Sequence, residues 1–271
     1  MKKAKFIDLS HTIEDGLVTY KGLPPPVISD FLSRERSHER YAPGTEFQIG
    51  RIEMIANTGT YIDSPFHRYA DGADLAALEL ESLSDLEGIV VRHIGAGEGD
   101  LEVAAVKARA VKEMEAYREM ASAADAPAAD GHFNMTEMII LTRGQRGITV
   151  ADMANVNIRG KAVLFHTGWD LRWRTEEYAN GQHPFVTEEA AEYLAVQGAA
   201  LVGIDSLNID DTATGERPAH SILLGHNIPI VEHLCGLREL PQQGFRFFAV
   251  PPKVRGFGSF PVRAFAIVES E

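Results

Sequence analysis

The stretch from Gly160 to Asp211 constrains the fold most, because two apolar runs flank one amphipathic segment. "GKAVLFHTGWD" is a short apolar run ending in His166 and a glycine turn. "VTEEAAEYLAVQG" carries Thr187 where a helix N-cap belongs, two glutamates in the first turn where they suit the helix dipole, and Gly198 just past the end. "AALVGIDSLNIDD" is a second apolar run, and it ends in carboxylates. Strand, helix, strand with polar residues at the strand C-terminal ends specifies an α/β architecture, and such ends are where sites form. His166 sits at one of them, as a candidate donor to a substrate carbonyl or as a simple strand cap.

The flanks fit the same class. Up to about residue 95 the chain alternates β-prone runs such as "FQIGRIEMIA" and "GIVVRHIGAG" with Pro/Gly turns. "NIPIVEHL", "FRFFAVPPKV" and "FPVRAFAIVE" add further strands toward the C-terminus. Between them, "LEVAAVKARAVKEMEAYREMAS" has no Gly or Pro and favours a helix, and it runs into the small-residue connection "AADAPAADG". Residues 98–145 therefore read as a helical insertion in a single domain spanning 1–271, either peripheral or acting as a lid or subunit-bridging arm.

Composition excludes several function classes. The 271 residues carry a net charge of −13, which repels phosphate backbones, and no Lys/Arg-rich run offsets it, so nucleic acid is not an expected partner. No segment approaches the ~18 apolar residues of a spanning helix, the N-terminus lacks a signal-peptide apolar run, and a cytoplasmic protein without membrane attachment is expected. The single cysteine, Cys235, lies among regular leucines and reads as a packing thiol. There is no G-x-G-x-x-G, Walker loop, G-x-S-x-G or H-E-x-x-H to support a nucleotide or serine-hydrolase reading.

The chemistry concentrates in "ANTGTYIDSPFH", residues 56–67. If 55–63 is extended, Asn57, Gly59, Tyr61 and Asp63 share one face. Pro65 then ends the strand, and the following turn can bring His67 back to that side. An amide, a phenol, a carboxylate and an imidazole presented together indicate a site, although Asp before Ser-Pro also initiates turns.

With these residues in view, the sequence resembles the cyclase-like metal-dependent hydrolases, which include bacterial kynurenine formamidase, isatin hydrolase and trans-dienelactone hydrolase. The family pattern H-x-G-T-H-x-D-x-P-x-H is matched in register by Gly59, Thr60, Asp63, Pro65 and His67. "FIDLSHTIEDGLVTYKG", "HTGWD", "LVGIDSLNID" and "RPAHSILLGHNIPIVEHL" extend the resemblance over most of the chain. The resemblance implies a swivelling β/β/α fold, a homo-oligomer (dimer or tetramer) and metal ligands at Asp63, His220 and Glu232. It also implies that His67 stands beside the metal as ligand or general base. Asn57 and Tyr61 replace two ligand imidazoles. An amide oxygen is a weak ligand, and a phenol must lose its proton to bind well, so the set Asp63, His67, His220 and Glu232 suits one divalent ion. Its oxygen-rich character leaves zinc, manganese and magnesium open.

The function this implies is hydrolysis of a small amide or lactone, cyclic or aromatic. The ion would acidify a water and polarise the carbonyl, and His67 would accept and donate the proton. Two alternatives stay open: a binding protein without turnover, and a metal-independent enzyme with Tyr61 as its acid/base group. Asn57, Phe66 and Trp169 are the candidate substrate contacts, with Trp173 a further aromatic. The acidic run Asp205, Asn208, Asp210 and Asp211 could bind metal or only shape a turn. Of His226 and His233, flanking Glu232, one should face the site. The "RGFGSFP" segment reads as a turn with Phe257 and Phe260 as anchors.

Overall fold

The computed structural model describes residues 4–94, 146–154 and 156–269. The helix expected within 98–145, and with it the insertion, lies outside the described residues. Among the described residues the core is a nine-stranded mixed sheet. Its centre is four parallel strands in the order β5 (Leu86–Arg92), β7 (Ala162–His166), β9 (Leu201–Ile204) and β10 (Ile230–Glu232). Antiparallel strands extend both edges. On the β5 side lie β11 (Gln243–Phe248), β13 (Phe265–Glu269) and β1 (Ala4–Asp8); on the β10 side lie β4 (Tyr61–Asp63) and β12 (Ser259–Pro261). Two small pairs stand apart: β2 (Val27–Leu32) with β3 (Ile49–Glu53), and β6 (Gly147–Ile148) with β8 (Phe185–Val186). This is the α/β class expected from the sequence.

The parallel strands are continuous apolar runs because both of their faces are covered, and every residue of β7 and β9 is buried. One face packs Val163, Phe165, Val202, Ile204 and Ile230 beneath two helices, α2 (Glu188–Gln197) and α3 (Pro218–Gly225), while α1 (Arg34–Ser37) is a single turn elsewhere. The other face packs Ala162, Leu164, Leu201, Val231 and Ile62 against Leu9, Leu234, Leu237 and Leu240. Helix α2 forms as its ends dictate: the Thr187 hydroxyl accepts from the Ala190 N–H, Glu188 and Glu189 occupy the first turn, and Gly198 closes it at φ +74°. Strand β5 needs Gly88, since a Cβ there would lie 1.9 Å from the Phe245 ring. No helix among the described residues is long and apolar enough to cross a membrane.

One local expectation is corrected. Residues 55–60 are irregular and only Tyr61–Asp63 is strand, because Gly59 adopts φ +65° and its missing Cβ leaves room for Ile13, 2.9 Å from where that atom would be. The alternation that would place Asn57 on the Tyr61 face is broken there, and Asn57 is half-buried ahead of the strand.

Candidate functional site

Strand β4 lies between β10 and β12, with Tyr61 opposite Glu232 and Asp63 opposite Ile230 on one side and Ser259 on the other. Side chains directly opposite in a ladder share a face, so Tyr61, Asp63, Glu232 and Ser259 all project toward the side bearing α3. Pro65 turns the chain into a single 3-10 turn, Pro65–His67, which carries His67 back over that face. Helix α3 begins at Pro218, fixing His220 in its first turn.

These elements converge. One ligand atom each from Asp63, His67 and His220 lie within 4.8 Å of one another. His220 Nε2 is 3.7 Å from Asp63 Oδ2 and 3.6 Å from Glu232 Oε1. Its other nitrogen, Nδ1, is 2.6 Å from Asp210 Oδ2, and Asp210 also accepts the Ala219 and His220 N–H groups at 2.7 and 3.1 Å. A histidine held by a carboxylate on one nitrogen presents the other at a fixed angle, the arrangement that orients metal-ligating imidazoles.

Burial separates the roles. The side chain of His67 is 36% exposed, whereas those of Asp63 and His220 are 0% and 7% exposed. Burial by itself would lower the His220 pKa, but the hydrogen bond with Asp210, the Asp63 carboxylate 3.7 Å away and the charge of Glu232 outweigh it and raise it to about 10. A cation is thus what the surrounding carboxylates favour at this point. Asp63 Oδ2 is buried without a hydrogen-bond partner. An unpaired carboxylate oxygen facing an imidazole nitrogen, with a second imidazole alongside, is a donor set that suits a divalent ion.

Glu232 departs from the expected ligand set. It touches His220, but its Oε1 accepts the Ile209 N–H at 2.6 Å and its Oε2 accepts from the Tyr61 hydroxyl and from Asn208 at 3.4 Å, with the Tyr20 hydroxyl, which donates to the Leu207 carbonyl at 2.7 Å, 3.3 Å away. Both oxygens accept hydrogen bonds, and Glu232 is not among the three residues whose ligand atoms all lie within 4.8 Å of one another, although its Oε1 is 3.6 Å from His220 Nε2. Burial raises its pKa, His220 opposes the rise and the Asp63 charge adds to it, with a net upward shift.

Tyr61 is fully buried, and desolvation followed by the charge of Glu232 pushes its phenol well above the ordinary range. It keeps its proton and donates it to Glu232, the reverse of what a phenolate ligand or an exposed acid/base group requires. Tyr61→Phe removes one donor from a buried carboxylate and should cost about 1–3 kcal/mol in denaturant unfolding. Turnover should stay within about tenfold, smaller than the loss typical of a deleted acid/base group.

His166 is not gathered into the site. Strand alternation puts it with Ala162 and Leu164 on the opposite sheet face, where its Nδ1 lies 2.7 Å from Arg92 Nη1. Desolvation, then the Arg92 charge, lowers its pKa to about 4. The folded state therefore resists a proton that the unfolded chain accepts near 6.5, and stability from this residue is lost as pH falls from 6.5 toward 4. The unfolding free energy of wild type minus that of His166→Gln should shrink over that window, with turnover at pH 8 unchanged.

Trp169 is also corrected: it is buried against Tyr178 and Leu207, and its indole N–H donates to the Tyr178 carbonyl at 3.1 Å. That indole is used in packing. Trp173 stacks on His11 with ring centroids 3.9 Å apart. Phe66 is half-buried beside His67. His233 is buried against the Tyr20 and Tyr61 rings, whereas His226 is exposed at the end of α3. The acidic run is divided by its partners: Asp205 accepts from the Thr167 and Gly168 N–H groups, Asp211 pairs with Arg146 at 2.8 Å, and Asp210 reaches the cluster only through His220. The Cys235 thiol is pushed up to about 12 by burial and then by nearby carboxylates, as suits a packing thiol.

Sequence reasoning missed Ser259, Tyr20 and the role of Asp210. Only the "NIDD" run gave any signal, because the other two come from segments whose approach to β4 is tertiary.

A mixed α/β sheet with an Asp/His/His cluster over its β10–β4–β12 side, two members buried and His67 exposed, defines a cyclase-like protein. The chain belongs to the Cyclase family, whose model matches residues 7–211. Kynurenine formamidase of Erythrobacter litoralis is 27% identical over 247 residues, covering 91% of this chain and 86% of that protein. The kynurenine formamidase of Bacillus cytotoxicus is 23% identical over 270 residues, covering 97% and 98%. Among solved structures, a potential metal-dependent hydrolase with cyclase activity superimposes with a TM-score of 0.65 at 23% identity, covering 99% of this chain and 100% of its own. Isatin hydrolase A from Labrenzia aggregata gives 0.64 at 20%, covering 98% and 94%. At these identities the structures show the fold.

Proposed function

We propose that this chain is a metal-dependent hydrolase that cleaves the amide bond of a small aromatic or cyclic substrate. The observation that carries the reading is the convergence of Asp63, His67 and His220, with an unpaired buried Asp63 oxygen 3.7 Å from the His220 ring. Asp63 and His220 would hold one divalent ion, zinc or manganese, with His67 beside it. Such an ion supplies positive charge that polarises a carbonyl and acidifies water.

The chain's own residues supply the rest. His67 is the exposed member of the cluster, so it meets substrate and can move a proton between water and the leaving nitrogen. Asp210 fixes the His220 ring, and the buried Tyr61, Tyr20 and Asn208 group holds Glu232 away from solvent. The relatives named as kynurenine formamidase and isatin hydrolase support an aromatic amide over a lactone. The proposal extends, as the family resemblance implies, to a homo-oligomer with no partner besides its substrate.

The test is elemental analysis of wild type and Asp63→Ala grown with added zinc and manganese, followed by a turnover screen of formylkynurenine and isatin. About one ion per chain, lost in the variant, with chelator-sensitive amide cleavage, is expected. An ion-free wild type that binds these compounds without turnover would replace this reading with that of a binding protein.

A further inference from the structure

Ser259 lies at a junction that the proposed hydrolase reading leaves unassigned. Its Oγ donates to Asp63 Oδ1 and is 2.8 Å from His67 Nδ1. Ser259 is itself buried at 3% exposure. A serine hydroxyl owns one proton, and a carboxylate oxygen can only accept. With that proton committed to Asp63, the contact with His67 is a hydrogen bond only if the imidazole donates, so Nδ1 carries the hydrogen. In the neutral ring Nε2 is then left with its lone pair. The neighbouring residue makes the approach close: a Cβ on Gly258 would lie 2.5 Å from the backbone N and Cα of His67, and the Gly258 carbonyl accepts the Ser64 N–H at 2.7 Å. Strand β12 is therefore seated on the His67 turn over two successive residues.

We propose that Ser259 is a positioning residue that fixes the tautomer of His67, holding the hydrogen on Nδ1 and the lone pair on Nε2. The chain Asp63 to Ser259 to His67 makes the buried carboxylate orient a histidine it does not touch directly, since Asp63 Oδ1 and His67 Nδ1 are 3.7 Å apart. The nitrogen left bare is the one able to take a proton from water or to face an ion. This assignment rests on the hydrolase reading for its catalytic meaning, but the tautomer itself does not.

The experiment is nitrogen-15 NMR of histidine-labelled protein at pH 8, grown with zinc so that any bound ion is diamagnetic, with His67→Gln used to assign the signal. Wild type should show His67 protonated on Nδ1; a hydrogen on Nε2 would overturn the proposal whatever the variants do. Ser259→Ala should give a mixture of tautomers, and Ser259→Thr should restore the Nδ1–H form. In the turnover assay Ser259→Ala should lower kcat by about 100-fold, the low end of a misplaced general base, with KM within about threefold. A Ser259→Ala protein with the wild-type tautomer would overturn the proposal too. Failure of the hydrolase reading alone would leave the tautomer result standing and remove only the kinetic one.

Discussion

Asp63→Ala should abolish the chelator-sensitive part of both stability and turnover. In wild type an ion that binds the folded state at about 100 times its Kd adds about 2.7 kcal/mol. For a chain of this size that is a melting shift of about 5–10 °C, read as the difference between scans with and without chelator. The variant should show no such difference. Asp63 Oδ2 has no hydrogen-bond partner and Oδ1 only Ser259, so in chelator the two proteins should melt much closer together than they do with ion. Turnover should fall by more than about 100-fold, the scale already reached when residues behind a metal ligand are lost. An unchanged chelator shift in Asp63→Ala would place the ion elsewhere.

Gly258→Ala should be the most damaging single methyl added near the site. The new Cβ would sit 2.5 Å from the His67 N and Cα and 3.0 Å from its Cβ. Backbone cannot rotate away as the tip of a flexible side chain can, so either β12 or the Pro65–His67 turn must move. Overpacking of this kind costs about 1–3 kcal/mol. A displacement near 1 Å at the reacting group can cost about 100-fold in rate. Because Ser259 moves with Gly258, the His67 hydrogen bond is lost in the same step. Gly215→Ala is the control: nothing lies within 4 Å of its added Cβ, and both stability and rate should stay at wild-type values. Equal behaviour of the two variants would show that β12 is not seated tightly on the His67 turn.

The parts of the fold legible in the sequence were those set by local chemistry. Thr187, Glu188, Glu189 and Gly198 specify both ends of α2 by side-chain capping and backbone conformation, which act within one helical turn. The apolar runs "AVLFH" and "LVGI" specify buried parallel strands because no partly exposed strand tolerates five and four successive buried residues. Asp63, His67 and His220 were legible through a motif resemblance that carries their types and spacing.

Tertiary structure decided which of the candidate residues meet. Whether His166 and Asp63 share a sheet face depends on register across β7, β9, β10 and β4, and a shift of one residue reverses the face. The family resemblance implies Glu232 as a ligand but not its neighbours, Tyr20 and Tyr61, which reach it from parts of the chain 212 and 171 residues away. Ser259 lies 196 residues from Asp63 and carries no sequence signal of its own, because a serine in a Gly-rich turn is chemically ordinary until β12 pairs with β4. Residue types and local periodicity are fixed along the chain, whereas the hydrogen-bond partners of a buried polar group are fixed by packing between distant segments.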